Sequence, residues 1–184
     1  MIKISRGASI LLLLFATITS GCVRVSSFKV TRTTQSTLFN SKLYEKMAVL
    51  FVDGSEDLSL GGEMQQVEDA FLQELIRKGY VPVARSDLNS VMAELRIQAS
   101  VLTEKDAVRI GNVLNARAVL VVDVVTYKRA LAMSARILDT ERAQILWVSS
   151  YTASYNYFLR RAGTSTEIPE VARTVATELP ARNR

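Results

Sequence analysis

The sequence predicts a single-domain α/β sandwich, in which helices flank a mixed sheet of N-terminal strand–helix units and a C-terminal antiparallel meander. Three observations lead to this prediction. Residues 47–52 form a short, continuous apolar run, and residues 119–125 form one that only Asp123 interrupts. Such runs are typical of buried strands. Between them, apolar residues recur at helical spacing. After them, two segments alternate between apolar and polar positions, and the length of 184 residues suits one domain.

The first strand–helix unit begins with residues 47–52 and turns at Asp53 and Gly54. From Glu63 the apolar period becomes helical, and this helix ends before Gly79, because glycine enters the left-handed conformation without a steric penalty. The apolar face of this helix comprises Met64, Val67, Phe71 and Leu75. A short strand over residues 80–84 follows at a sheet edge, since Pro82 cannot donate to a strand ladder.

Two further helices precede the central strand. Ser86 and Asp87 are predicted to cap the first of them, which buries Leu88. Thr103 and Asp106 form a variant of the capping box at the start of the second. The apolar run over residues 119–125 is then expected at the centre of the sheet.

The C-terminal part of the sequence is predicted to form an antiparallel meander and a last helix. The first alternating segment carries Leu131, Met133, Ala135 and Ile137 on one face. The second carries Ile145, Trp147, Ser149 and Tyr151. A polar turn over residues 139–142 joins them, and residues 167–179 have helical apolar spacing.

Composition excludes several classes of catalyst. The chain has no histidine and a single cysteine, Cys22. A histidine-containing triad, a Cys–His pair, a zinc site of His or several Cys ligands and an intrachain disulfide cannot be built from these residues. We therefore predict a protein without a metal site or cofactor that is not an enzyme.

The first 21 residues have the properties of an export signal. Lys3 and Arg6 supply a positive start, and residues 8–18 are almost wholly apolar. This apolar stretch would be about 16 Å long as a helix, which is half of a bilayer core. Small residues then lead to Cys22, so residues 1–21 are predicted to be removed after export.

The segment from Ile18 to Cys22 resembles a bacterial lipobox, in which cleavage between Gly21 and Cys22 precedes acylation of the cysteine, palmitate included. An incidental thiol is the alternative. Two or more acyl chains anchor a protein stably, so Cys22 is the predicted lipid attachment site. By analogy with lipoprotein sorting, Val23 rather than Asp after the cysteine indicates the outer membrane, with the domain facing the periplasm.

Residues 22–44 are rich in Ser and Thr and are predicted as a tether, followed by the domain over residues 45–184. The alternation in residues 23–25 and 28–30 leaves a short edge strand as the competing interpretation. Removal of Lys3 and Arg6 lowers the formal net charge from +5 to +3. Without a basic stripe interleaved with aromatic residues, no nucleic-acid partner is expected.

Four segments together carry a resemblance to a known family, namely the passage from Gly79 and Tyr80 to Arg85 and Leu88 and residues 110–120, 125–127 and 135–147. They resemble the CsgG-like family of bacterial envelope lipoproteins, which includes the curli secretion channel and activators of penicillin-binding proteins. The resemblance covers about residues 45–155 and implies a periplasmic α/β sandwich. A membrane pore would need inserted β-hairpins whose strands are about 9–11 residues long. The connections between the predicted strands are too short to contain such hairpins.

The remaining candidate sites follow from local patterns. An aromatic and basic stretch after the last strand is a possible partner surface, made of Tyr155, Tyr157, Phe158, Arg160 and Arg161. Carboxylates that could hold Ca²⁺ or transfer a proton surround one loop, namely Asp53, Glu56, Asp57 and Glu63. Gly61 and Gly62 lack the spacing of a phosphate-binding motif. Asp123 lies inside an apolar strand, where either a hydrogen-bonded structural role or a position facing an edge is expected.

The favoured function is therefore a lipid-anchored, non-catalytic binding or adaptor protein of the cell envelope that activates or scaffolds an envelope enzyme. It binds the membrane through lipidated Cys22 and an envelope protein of unknown identity, and it could form a homo-oligomer. The alternatives are a subunit of an oligomeric outer-membrane secretion assembly and a carboxylate-based envelope hydrolase.

Overall fold

The architecture was analysed in a computed structural model, which describes residues 28–54, 61–98, 102–127, 130–154 and 167–182. It is an open six-stranded mixed sheet flanked by four helices, so the predicted fold class is confirmed. The strands are β1 Phe28–Gln35, β2 Lys46–Asp53, β3 Val81–Pro82, β4 Ala118–Tyr127, β5 Ala130–Asp139 and β6 Gln144–Ser154. The helices are α1 Gly61–Arg77, α2 Arg85–Glu94, α3 Glu104–Val113 and α4 Glu167–Thr177.

The strands lie in the order β1-β6-β5-β4-β2-β3. β2 pairs in parallel with both β3 and β4, whereas β4, β5, β6 and β1 pair in antiparallel fashion. The predicted meander and the central place of β4 are therefore confirmed. β3 forms one edge of the sheet, as its proline requires, and β1 forms the other.

Helices cover both faces of the sheet, because successive strand residues point to opposite sides. On one face α1 and α4 pack over the larger core, which includes Met47, Phe71, Leu120 and Trp147. On the other face α2 and α3 pack over a smaller core that includes Leu50 and Ile110. The near-continuous apolar runs in β2 and β4 are thus explained by burial on two sides.

Two predicted helix ends are confirmed and one is wrong. Gly79 adopts φ of 90° after α1, and Thr103 caps α3 through a complete capping box with Asp106. Ser86 and Asp87 do not cap α2. This helix already begins at Arg85, with Ala84 as a cap residue that makes no side-chain hydrogen bond.

The predicted tether over residues 22–44 is wrong over residues 28–44, where an edge strand and a short 3-10 helix are found. The competing edge-strand interpretation is confirmed for residues 28–30, whereas residues 23–25 lie outside the described residues. Phe28–Gln35 pairs with β6 along its whole length. The Oγ atoms of Thr33 and Ser149 lie 3.1 Å apart, and Tyr44 is buried in the core. Threonine is β-branched and favours strands, so a Thr-rich segment suits a half-exposed edge strand as well as a linker.

A second correction concerns the face of β6. Ile145 was expected beside Trp147, but it is 44% exposed. The pairing of β5 with β6 shifts between Ile137 and Leu138, which leaves Leu146 as an extra residue in β6. Such a bulge moves the preceding residues to the opposite face, so Ile145 turns to solvent.

Candidate binding surfaces

Most residues predicted to act in function lie outside the described residues. This holds for the cleavage and lipidation site, Gly21 and Cys22, and for two of the loop carboxylates, Glu56 and Asp57. It also holds for the whole predicted partner surface, Tyr155, Tyr157, Phe158, Arg160 and Arg161. These residues keep the status of predictions.

The other two loop carboxylates are separated by secondary structure. Asp53 ends β2, and Glu63 lies in the first turn of α1, which begins at Gly61. In the described part of the chain, no three His, Cys, Asp or Glu side chains come together as a metal-binding group. The Ca²⁺ and acid–base roles of this loop stay predictions, because Glu56 and Asp57 lie outside the described residues.

A groove runs beside β2, where the edge strand β3 stops short. β3 pairs only with Lys46 and Met47, whereas β2 continues to Asp53. The groove has a volume of about 150 Å³. We call it the β2 groove, and its lining includes Val49, Phe51, Glu68, Leu72, Asn89 and Met92.

The β2 groove exposes strand backbone. Val49, Leu50 and Phe51 all line it, and because consecutive side chains point to opposite faces, the groove must follow the strand edge. The N–H groups of Val81 and Val83 donate to the carbonyls of Glu45 and Met47, at 2.9 Å each.

Backbone polar groups of alternate strand residues point the same way. The N–H and C=O groups of Val49 and Phe51 therefore face this edge, where no strand pairs with them in the described ranges.

The walls of the β2 groove combine apolar side chains with one ion pair. Leu72 of α1 and Met92 of α2 stand on either side, and Asn89 is exposed at the rim. Glu68 is ion-paired with Arg85, yet burial raises the pKa of Glu68 above its ordinary value against the lowering effect of Arg85. The arrangement suits an extended, mainly apolar segment lying along a strand edge.

Asp123, the polar residue inside β4, is ion-paired with the neighbouring strand. Its Oδ2 lies 3.1 Å from Nη1 of Arg136 on β5, and Nε of Arg136 lies 3.6 Å from Oε1 of Glu104. Burial raises the pKa of Asp123, Arg136 lowers it and Glu104 raises it again. This ion-paired group links β4, β5 and α3.

Sequence reasoning missed a second polar cluster, which joins the chain before β2 to the turn after β5. The hydroxyl of Tyr44 donates to Oδ2 of Asp139 at 2.8 Å, and the N–H groups of Glu141 and Arg142 donate to Oδ1. Burial raises the pKa of Asp139, but these hydrogen bonds outweigh it and hold the pKa below its ordinary value.

Burial and the neighbouring carboxylate raise the pKa of Tyr44 to about 12. At neutral pH the tyrosine thus stays protonated and the aspartate ionised, so the pair is a structural bond rather than a proton relay. In the sequence, only the aspartate at the start of the predicted turn over residues 139–142 indicates this polar cluster.

None of the helices in the described part of the chain combines the length and the apolar character that crossing a bilayer requires.

The comparisons with known proteins concern the fold. No protein-family model matches the sequence. No curated protein matches it either.

Solved structures do match. A PelC dodecamer from Paraburkholderia phytofirmans is similar over 85% of this chain and 100% of that chain, with 16% identity and a TM-score of 0.54. The LpoB C-terminal domain from Salmonella enterica matches 66% of this chain and 88% of its own, with 17% identity and a TM-score of 0.49. Lipoprotein GNA1162 from Neisseria meningitidis matches 73% of this chain and 99% of its own, at 15% identity and a TM-score of 0.49. At these identities, PelC is similar in fold alone.

Proposed function

We propose that this chain is a lipid-anchored lipoprotein of the bacterial outer membrane, whose periplasm-facing domain is a non-catalytic binding or adaptor protein that activates or scaffolds an envelope enzyme. The observation that carries the proposal is the β2 groove. It offers the backbone groups of Val49 and Phe51 beside apolar walls, and exposed strand edges of this kind bind extended protein segments. The lipobox-like segment before Cys22 and the resemblance to CsgG-like lipoproteins support the envelope location.

The position of β1 limits the distance between the domain and the membrane. β1 begins at Phe28, six residues after Cys22. A fully extended chain spans at most about 3.3–3.6 Å per residue, so this connection reaches about 20 Å. The domain would therefore stand next to the membrane surface, and partners would have to come to that surface to reach it.

A second candidate role is that of a subunit in an oligomeric outer-membrane assembly. The fold likeness to the PelC dodecamer supports it, because the similarity spans that whole chain with a TM-score of 0.54. The two roles are compatible, since an anchored adaptor can also self-associate.

Anchoring is tested by Cys22→Ala in the full chain, with Ser26→Ala as the matched control next to the cleavage site. We expect Cys22→Ala to lose palmitate labelling and to leave the membrane fraction, while Ser26→Ala behaves as wild type. In crosslinked intact envelopes, wild type should capture an envelope enzyme that Cys22→Ala captures poorly. Equal labelling and equal capture by Cys22→Ala would contradict the proposal.

A further inference from the structure

We infer that the domain has a second binding site, an uncharged cleft that takes a short stretch of a neutral saccharide chain. The cleft lies between the end of β1 and the segment that follows α4. Its volume is about 380 Å³, which falls within the range of about 300–1,000 Å³ that is usual for ligand sites. We call it the Phe39 cleft, and the described residues that line it are Gln35, Phe39, Asn40, Ser41, Pro180 and Ala181.

Hydrogen bonds hold both walls of the Phe39 cleft in place. On one side the chain turns directly after β1, since the N–H of Phe39 donates to the carbonyl of Ser36 at 3.1 Å. On the other side the hydroxyl of Tyr80 donates to the carbonyl of Pro180 at 2.9 Å. A site that is formed before its ligand arrives loses little conformational freedom on binding. A ligand with few contacts can therefore be held here.

Two side-chain amides supply polar groups to the cleft. Asn40 accepts a 3.2 Å hydrogen bond from the N–H of Lys42 through Oδ1, which uses the oxygen of this amide and not its N–H groups. Gln35 is exposed at the last position of β1. A side-chain amide presents donors and an acceptor side by side. Because a sugar hydroxyl both donates and accepts, neighbouring hydroxyls of a sugar ring complement these amides.

Phe39 supplies an aromatic wall. Its ring stacks on Tyr44, with the ring centroids 5.6 Å apart and an angle of 14° between the planes. Because Tyr44 covers one face of this ring and Phe39 also lines the cleft, the cleft is bounded by the other side of the ring. The face of an aromatic ring is electron-rich, so it attracts the weakly positive C–H groups that one face of a sugar ring presents.

The lining favours a neutral saccharide over other kinds of ligand. None of the six lining residues carries a charge, so a charged ligand would lose hydration without gaining an opposite charge. A wholly apolar ligand would leave the amides unpaired. Proline-rich peptides are bound by grooves lined with aromatic rings, whereas the described lining contains one ring.

The position of the cleft suits a saccharide of the cell envelope, a point that rests on the proposed function. Gln35 and Phe28 lie at opposite ends of β1, and a strand of this length separates them by about 23 Å. Cys22 precedes Phe28 by six residues, so an anchored domain is held by its Phe28 end. The Phe39 cleft would then face away from the membrane and towards the glycan strands of the envelope.

Titration of the full-length protein with two soluble sugars tests the inference, in a detergent without a sugar head group. Chitotriose is N-acetylated, and cellotriose is not. We expect saturable binding of at least one of them, with NMR chemical-shift changes at the amides of Phe39, Asn40 and Ala181 and none at Val49 in the β2 groove. Tighter binding of chitotriose would indicate N-acetylated glycan strands as the source of the ligand, and tighter binding of cellotriose would indicate a neutral polysaccharide.

Three variants test whether binding occurs in the cleft. Gln35→Val removes one amide and suits a strand, and Asn40→Ser removes the other while keeping an oxygen that can cap the following turn. Each should weaken binding about threefold to tenfold, the effect of one lost hydrogen bond. Gln144→Val is the matched control, because Gln144 is exposed at a strand end but is not among the lining residues. It should bind as wild type does, and thermal unfolding checks that each variant is folded.

Either of two results overturns the inference: neither sugar binds, or binding is unchanged in both Gln35→Val and Asn40→Ser. Shifts in the cleft caused by an uncharged proline-rich peptide and by neither sugar would make the cleft a protein-binding surface instead. Purified Cys22→Ala should bind the sugars as wild type does. A failure of sugar binding would thus leave the proposed anchoring intact, and a failure of anchoring would leave sugar binding intact.

Discussion

Substitution of Gly111 tests how closely α3 packs against β4 and the turn after β5. This residue lies in α3 where the helix passes over β4 and the turn after β5. A Cβ atom at Gly111 would lie 2.4 Å from Cγ2 of Thr140 and 2.6 Å from Cγ2 of Val119. Both neighbours are stiff, β-branched side chains, and Thr140 is further held by a 3.0 Å hydrogen bond from its hydroxyl to the carbonyl of Ala116.

The cost of Gly111→Ala follows from these distances. Overpacking a tight site costs about 1–3 kcal/mol, and such severe contacts favour the upper end. Displacing the Thr140 turn strains a hydrogen bond worth about 1 kcal/mol. Alanine regains about 1 kcal/mol of helix propensity. We expect a net loss of about 3 kcal/mol in the free energy of unfolding, which lowers Tm by about 6–12 °C for a chain of this size.

Urea and thermal unfolding of the full chain measure this effect. Gly62→Ala is the matched control, because nothing lies within 4 Å of a Cβ at this position in α1. The control should be neutral or slightly stabilising. Adding Thr140→Ser to Gly111→Ala removes the closest methyl group and keeps the hydroxyl, so it should restore part of the loss. If Gly111→Ala unfolds within 0.5 kcal/mol of wild type, a margin typical of surface substitutions, the close approach is refuted.

Three further predictions concern polar groups. Tyr44→Phe should cost about 1–3 kcal/mol, because Asp139 Oδ2 loses its buried donor, and an unchanged urea midpoint would contradict this. Since hydrogen bonds hold the pKa of Asp139 below its ordinary value, its ionised form stabilises the native state fully above pH of about 4. This contribution is lost as the pH falls through the native pKa, so Asp139→Asn should be less stable than wild type at pH 6 and the gap should narrow towards pH 3. Thr103→Ala should cost about 1 kcal/mol through loss of the cap of α3, whereas Ser90→Ala on α2 should cost less, and equal costs would argue against the capping box.

Sequence reasoning succeeded for three features whose determinants are local. The helical period before Gly79, the capping box of Thr103 and the apolar run of β4 each depend on residues close together in the chain. Their physical causes, namely amphipathic burial, cap hydrogen bonds and burial on two faces, act within one element. These elements were therefore predicted with the correct type and order.

Apart from the wrong cap of α2, the failures share a nonlocal cause. β1 is Thr-rich and polar, and only its pairing with β6 distinguishes an edge strand from a linker. The bulge at Leu146 is set by how β6 meets β5, and no single-strand pattern indicates it. The β2 groove exists because β3 is shorter than β2, and these two strands are separated in the chain by the whole of α1. Prediction from one segment at a time therefore missed the main candidate binding surface.

The placement of β1 also has a consequence for the order of folding. Thr33 and Ser149 face each other although 116 residues separate them. If the chain is exported as proposed, β1 emerges first, and its partner strand β6 emerges only after β2, β4 and β5. Pairings of such long range form late, because the loop entropy must be overcome before the contact is made. In that case β1, which begins six residues after the proposed lipid attachment site Cys22, would be the last strand to join the sheet, after β4, β5 and β6 have paired.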